Sequence, residues 1–330
     1  MIYPVNKFIS SGRQKIDRQK IITKKYFNKI AKDWFDRAYD PEEKFLTFPT
    51  GKVRQNITIS EIRRLDVGKK IIDLGCGAGQ LVINLLRDGY NVIGIDNAYK
   101  MIAEARRSLT REFPEADALK TFLIKDIINL RTDDKFDVVT AMGLLEYLED
   151  DLRFFEMTRS LLKGKGFAFI ECRNKLFNIT SANQYTLEAA ASGDLDKLIL
   201  ELDHLKRYSP TLIEEIAKIL PNIYKKIGEL LEKKSDEEIL TATKIPRPET
   251  FPAKLVRRQH TPETLAETVK RAGLKLKYVI YYHCHPYLAR YEKLFPKLYN
   301  QIALLMQPLG YTQLGGTICS AFVAVIEKEG

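Results

Sequence analysis

A chain of 330 residues, 45% of them hydrophobic, is long enough to bury one large core or two smaller ones. It contains no run of about 18 uncharged apolar residues and no continuous apolar stretch at its N-terminus, so neither a bilayer span nor a signal peptide is expected, and the expected compartment is the cytoplasm. The formal charge of +10 invites a nucleic-acid reading, but most of the excess sits in residues 1–30, where eight basic residues accompany a single acid, Asp17.

Residues 1–66 form an N-terminal helical segment. Apolar side chains at Ile16, Tyr26, Phe27, Ile30, Ala31, Trp34 and Phe35 keep a broken helical period with basic residues between them, which predicts one or two amphipathic helices. The basic face reads first as solvated, with contact to phosphate or an acidic substrate as the alternative. Asp40-Pro41 to Gly51 reads as loop, and Val53 to Leu65 as helix.

From 67 to 175 short strands alternate with helices: strands at 70–74, 91–95, 121–125, 136–141 and 166–172, helices at 79–88, 98–112 and 150–162. That alternation predicts an α/β fold, a mostly parallel sheet with helices on both faces and ligands at the carboxyl ends of the strands. The first strand runs into Asp73-Leu74-Gly75-Cys76-Gly77-Ala78-Gly79-Gln80, a turn whose glycines permit positive φ and leave backbone bare toward a ligand. The dinucleotide pattern Gly-x-Gly-x-x-Gly fails here, because Gln80 and Val82 stand where its third glycine belongs. What remains is Asp-x-Gly-x-Gly-x-Gly, and an acid before the turn suits a ligand with a cationic group better than a pyrophosphate.

These residues resemble the class I S-adenosylmethionine-dependent methyltransferases, small-molecule type. The glycine turn (Asp73, Gly75, Cys76, Gly77, Gly79) is similar to their first motif. Asp96 ends the next strand at the spacing where an α/β unit sets a carboxylate on a ribose diol, and Asn97 and Met101 follow, with Met101 at the family's adenine-packing position. Asp126 and Ile127 close the third strand like the adenine-contacting acid and its neighbour. Phe136 to Gly143, including Met142, with Leu144-Leu145-Glu146-Tyr147-Leu148 resembles the fourth motif, although Tyr147 stands where many members have a histidine. The resemblance covers roughly residues 24 to 175 and the last 70. It implies a Rossmann-like seven-stranded sheet closed by a C-terminal antiparallel hairpin, with S-adenosylmethionine as cofactor. It also implies that the helix around Tyr26 to Ala31 lies across the cofactor pocket, making Trp34, Phe35 and Tyr39 either a lid or anchors to the core.

Residues 176–255 form a helical insertion after the fifth strand, with helical patterns at 185–191, 195–206, 210–219, 223–233 and 236–242 and a proline-rich end at 245–252. It is too long for an ordinary loop and is read as a substrate-enclosing cap or a homodimerisation element. Between 174 and 259 there are 14 basic and 13 acidic residues, a poor nucleic-acid surface. Residues 256–330 return to the core. Thr261 as N-cap, Pro262 at the first position and Thr264 three residues after the cap start a helix that runs to Arg271 and ends at Gly273. Strands at 276–283 and 317–328 enclose a second helical insertion at 288–310, split near Pro296, and the loop 308–316 reads as a mobile, glycine-rich segment.

The scattered cysteines Cys76, Cys172, Cys284 and Cys319 form no C-x-x-C pair and read as reduced thiols. Candidate catalytic residues are His260, just before the helix cap at a place where related small-molecule enzymes often carry a histidine, His283 and His285, and Tyr147. His283 and His285 stand two apart at a strand end and are expected to share a face with Tyr281 and Tyr287. A His-x-His pair can bind a metal, but no third ligand stands at a suggestive spacing, so no metal is expected. Arg257 and Arg258 either hold an anionic acceptor or form a surface pair. The reading is O-methylation of a small, anionic or sugar-type acceptor. The alternatives are an RNA methyltransferase using the basic N-terminal arm and a non-catalytic binder of the same cofactor. Against the RNA reading, neither an Asn/Asp-Pro-Pro-Tyr phrase nor a Pro-Cys nucleophile follows Val139.

Overall fold

The computed structural model describes residues 10–40, 46–130, 132–206, 212–232, 252 and 255–329. Among these, seven strands form one sheet: β1 (Lys70–Leu74), β2 (Asn91–Asp96), β3 (Phe122–Ile124), β4 (Phe136–Ala141), β5 (Leu162–Arg173), β6 (Lys275–Cys284) and β7 (Cys319–Glu327). Their order is β3-β2-β1-β4-β5-β7-β6, with the first five parallel and β7 antiparallel to both of its neighbours. This is the Rossmann-like sheet with a closing hairpin that the sequence predicts. The strand order reverses between β1 and β4, and a crevice opens beyond the carboxyl ends at such a switch point.

Alternate side chains of each central strand feed two cores. Ile71, Val138, Phe169, Val323 and Val325 meet the helices Thr50–Arg64 (α3) and Gln80–Arg87 (α4) on one face. Ile72, Val139, Ala168, Ala324 and Ile326 meet Asp151–Leu161 (α7) and Pro262–Arg271 (α11) on the other. Strands buried on both faces explain why β1 and β4 carry near-continuous Ile and Val. The N-terminal segment forms α1 (Ser10–Ile30), a 3₁₀ turn and α2 (Trp34–Ala38).

The start of α11 follows its sequence signature. The Thr261 hydroxyl accepts from the Thr264 N–H at 3.1 Å, and the Thr264 hydroxyl accepts from the Thr261 N–H at 3.1 Å. Gly273 ends the helix at φ +73°. Thr261→Ala is expected to lower unfolding free energy by about 1 kcal/mol in urea titration, the usual worth of a cap; an unchanged midpoint would show that water replaces the hydroxyl.

The structure corrects four expectations. The helices expected at 210–219 and 223–233 are one, α10 (Leu212–Glu232), with Pro221 inside it. A proline removes one intrahelical bond, and apolar Ile216, Ile219 and Ile223 keep the helical period across it. The fifth strand starts at Leu162, not 166. The segment 308–316, expected to be mobile, is packed: Gln307–Tyr311 is a 3₁₀ turn and Gly315–Ile318 (α13) a short helix. A Cβ at Gly310 would stand 2.1 Å from the Tyr281 carbonyl oxygen, so glycine serves close approach there. Finally, Tyr281 does not share a face with His283. Tyr281 and Phe322 face one core and Tyr282 and Ala321 the other, and Cys284 and Cys319 return to the Tyr281 side. The alternation breaks at His283, held at φ +59°. Cys284 and Cys319 are free thiols directly opposite one another, Sγ to Sγ 2.7 Å. The expected helix at 236–242 and the proline-rich stretch up to 251 lie outside the described residues.

Candidate active site

A cavity of about 1430 Å³ opens at the switch point. One end is the glycine turn. Gly75, Gly77 and Gly79 hold φ of +73°, +54° and +83°, but they do different work. A Cβ on Gly77 would meet only the Trp34 indole nitrogen at 3.7 Å, so its backbone faces the cavity. A Cβ on Gly79 would stand 2.6 Å from the Phe122 ring and 2.9 Å from Ala105. Gly79 thus lets helix approach sheet, the packing duty of a third glycine, and it does not line the cavity; nor does Cys76.

Asp96 is the fixed carboxylate of this end. It accepts from the Gly77 N–H at 3.0 Å and the Ala98 N–H at 2.7 Å, and burial, partly opposed by these donors, raises its pKa. A carboxylate has about four acceptor positions, so capacity remains for a diol. Asn97, Met101, Asp126, Ile127 and Met142 also line the cavity. Met101 packs under α1 with Tyr26 and Ile30, and Asp126 accepts from the Ile128 N–H at 3.3 Å while pairing with Lys20 of α1. Asp73 is buried just behind, accepting from the Thr140 hydroxyl at 2.7 Å, and does not reach the cavity. Burial pushes it up to about 7, against the pull of Thr140 and Arg54.

Helix α1 roofs this end. Tyr26, Phe27 and Trp34 line the cavity, and Phe27 stands edge-on to Trp34 and to Tyr147. The Asn28 carboxamide oxygen accepts from the Lys100 N–H at 2.8 Å, fastening the roof to the following helix. Of the three aromatics expected as lid or anchor, Trp34 joins the cavity. Phe35 is 48% exposed and stacks on Tyr39, outside it.

The other end has a polar floor. Glu171, on β5, accepts from Arg54 Nη1 at 2.7 Å and from the Tyr282 hydroxyl at 2.7 Å. Burial opposes the Arg54 charge, yet Glu171 and the neighbouring phenols together hold it above the usual arginine range. Arg173 presents a buried Nε without a hydrogen-bond partner, 3.8 Å from Glu146, and its guanidinium lies over the Tyr185 ring. Burial raises the Tyr147 phenol well above its usual range, so it stays protonated and donates instead of accepting a proton. The insertion contributes Phe177, Asn178, Asn183 and Tyr185 to the wall.

The four candidate catalytic residues separate. His283, His285 and Tyr147 line the cavity. His260 does not: its Nε2 lies 2.9 Å from Asp151, and its backbone bonds to Arg173 and Lys175 across an isolated bridge. The arginine pair separates too. Arg257 lines the cavity, and Arg258 is engaged by Asp151 and the Leu145 carbonyl. A third group that could ligate a metal, not visible in the linear spacing, is brought near by the fold, since Glu292 comes within 3.8 Å of His283 Nε2.

Sequence reasoning missed Arg54, Glu171, Arg173 and Tyr282. Glu171 carries a legible signal, an acid between the apolar run Phe167-Ala168-Phe169-Ile170 and Cys172. Arg54, between Val53 and the buried Ile57, is a weaker one.

Bare backbone at Gly77, a pinned carboxylate at the end of β2 and an apolar slot at Met101 fit S-adenosylmethionine and, on this sheet, define a class I S-adenosylmethionine-dependent methyltransferase. A family model described as a methyltransferase domain matches residues 65–235, and the chain belongs to that family. The match extends into the insertion, beyond the part that carries the motif resemblance. Ubiquinone biosynthesis O-methyltransferase of Pasteurella multocida (strain Pm70) is 28% identical over 200 residues, 56% of this chain and 79% of that protein. The protein of the same name from Coxiella burnetii (strain Dugway 5J108-111) is 28% identical over 185 residues, 55% of this chain and 72% of that one. Among solved structures, magnesium protoporphyrin IX methyltransferase from Synechocystis PCC 6803 with bound SAH aligns at 17% identity and a TM-score of 0.49, over 94% of this chain and all of that one. No helix of the described residues is long and apolar enough to cross a membrane.

Proposed function

We propose that the protein transfers a methyl group to an oxygen of a small anionic acceptor held between the polar floor and the helical insertion, which acts as a cap. When bound, S-adenosylmethionine supplies a sulfonium methyl whose C–S bond breaks as a C–O bond forms, the electron pair passing to sulfur and the hydroxyl proton passing to bulk solvent as the product leaves. The observation that carries the reading is one cavity joining the glycine turn to a floor that bears Arg173 and Arg257. Its roof of Tyr26, Phe27 and Trp34 and its wall from the insertion keep water out. The residues then have mainly to align the acceptor, and alignment can supply on the order of 7–11 kcal/mol of the barrier. Arg173, whose buried Nε makes no hydrogen bond and only a long 3.8 Å ion-pair contact with Glu146, is the group for an acceptor carboxylate. The Tyr147 phenol orients the acceptor as a donor. Relatives named for O-methylation support oxygen as the acceptor atom.

The test is transfer of label from methyl-labelled S-adenosylmethionine to a panel of hydroxylated carboxylic acids, with the product checked for an alkali-stable methyl ether. Arg173→Gln should raise KM for the acceptor about 10- to 100-fold, the loss of a charge-assisted hydrogen bond, with cofactor affinity unchanged. Label found only on amines or RNA would overturn the reading, as would an unaltered KM for the anchoring role.

A further inference from the structure

The floor of the cavity holds an arrangement that methyl transfer by alignment leaves unexplained. His283, His285 and Glu292 bring three ligand atoms within 4.8 Å of one another, and all three residues line the cavity. The Nε2 atoms of both histidines are buried and have no hydrogen-bond partner. Their Nδ1 atoms are both occupied on the far side, His283 with the Ser320 hydroxyl at 2.9 Å and His285 with the Tyr299 hydroxyl at 3.0 Å.

For His285 these bonds fix the tautomer. The Tyr299 hydroxyl has one proton, and it donates that proton to the Tyr287 carbonyl at 2.7 Å. It can therefore only accept from His285, which places the proton on Nδ1 and leaves a lone pair on Nε2. The rings are held in place by stacking, Phe48 on His283 at 4.1 Å and Phe177 on His285 at 4.6 Å between centroids. His283 also keeps a left-handed backbone, φ +59°, that non-glycine residues rarely adopt.

The His285 Nε2 lone pair and His283 Nε2 lie within 4.8 Å of one another and of the Glu292 carboxylate with no hydrogen bond at either nitrogen, a spacing that a cation can bridge. A neutral imidazole whose other nitrogen is tied to a fixed partner is the usual state of a metal-bound histidine. We infer that His283 Nε2, His285 Nε2 and the Glu292 carboxylate bind a divalent transition-metal ion at the floor of the cavity. Two nitrogens and one carboxylate suit zinc, cobalt, manganese or iron, whose bonds of about 2.0–2.2 Å set neighbouring ligand atoms roughly 3–3.6 Å apart, so the present spacings of up to 4.8 Å close on binding. Three protein ligands leave a coordination position toward the cavity, where an acceptor hydroxyl would bind and lose its proton more readily. That role rests on the methyl-transfer reading above; the metal site does not.

The experiment uses tag-free full-length protein, stripped with chelator and titrated with Co²⁺ followed by visible d–d absorption, then with Zn²⁺ in calorimetric competition. One ion per chain is expected, with affinity at least about 10- to 100-fold weaker in Glu292→Gln, His285→Gln and His283→Asn, by the scale of losses at metal-site partners. Asparagine tolerates the left-handed backbone at 283. Thermal unfolding without metal separates ligand loss from misfolding, and Glu292, 25% exposed, gives the variant best placed to keep the fold. Absence of stoichiometric binding, or binding equally tight in Glu292→Gln and His285→Gln, overturns the site. S-adenosylmethionine affinity is measured on the same samples, so a failed metal site with intact cofactor binding leaves the methyltransferase reading standing.

Discussion

Asp96→Ala is expected to weaken S-adenosylmethionine binding at least about 100-fold by calorimetry while the protein stays folded. The carboxylate has two tasks. It takes the Gly77 and Ala98 N–H groups, so it fixes the turn whose bare backbone lines the cavity. Its remaining acceptor positions are available to a ligand diol, and each hydrogen bond to a charged group contributes about 1.5–3 kcal/mol. Alanine removes both contributions, and two such bonds correspond to a hundredfold or more. Asp96→Asn separates them: one carboxamide oxygen can still accept from a backbone N–H, so the turn is kept while the diol loses part of its partner, and an intermediate loss is expected. Affinity within threefold of wild type in Asp96→Ala would place the cofactor elsewhere.

The cofactor end was legible in the sequence because it is local. A strand, a turn and a helix N-terminus are one continuous segment, and the acid about 20 residues on follows from the length of one α/β unit. Even so, the linear pattern did not distinguish Gly77, which faces the ligand space, from Gly79, which packs on Phe122 and Ala105. The polar floor at the other end was not legible for the opposite reason. Glu171, Arg54 and Tyr282 come from three distant elements, and their convergence is a consequence of sheet order. Glu292 reaches His283 because a 3₁₀ turn folds back, at a spacing that resembles no ligand motif. His260 shows the converse: its position before a strong helix cap suggested chemistry, and the fold spends it on an Asp151 contact beside a structural bridge. Strand parity misplaced Tyr281 because a single left-handed residue resets the alternation.

Arg54→Met is expected to be the most destabilising of the charge substitutions, lowering unfolding free energy by about 3–5 kcal/mol, the usual cost of removing one partner from a buried ion pair. The pair joins α3 to β5 across 117 residues of sequence, and both side chains are about nine-tenths buried, at 10% and 7% exposure. Without the guanidinium, Glu171 keeps only the Tyr282 hydroxyl as a partner and must either stay charged at high cost or take up a proton. The guanidinium also lies against Gly143, where a Cβ would stand 2.7 Å from Nη1. The double variant Arg54→Met with Glu171→Leu removes both charges. Because replacing a whole buried pair with apolar groups is often near neutral, the double variant should recover at least half of the loss seen in Arg54→Met. Urea unfolding of the two single variants and the double variant closes the cycle. If the two losses simply add, the pair does not interact as its 2.7 Å bond implies. A stable double variant that still binds S-adenosylmethionine but has lost methyl transfer would place this pair in the acceptor floor, separating its contribution to the fold from its contribution to the reaction.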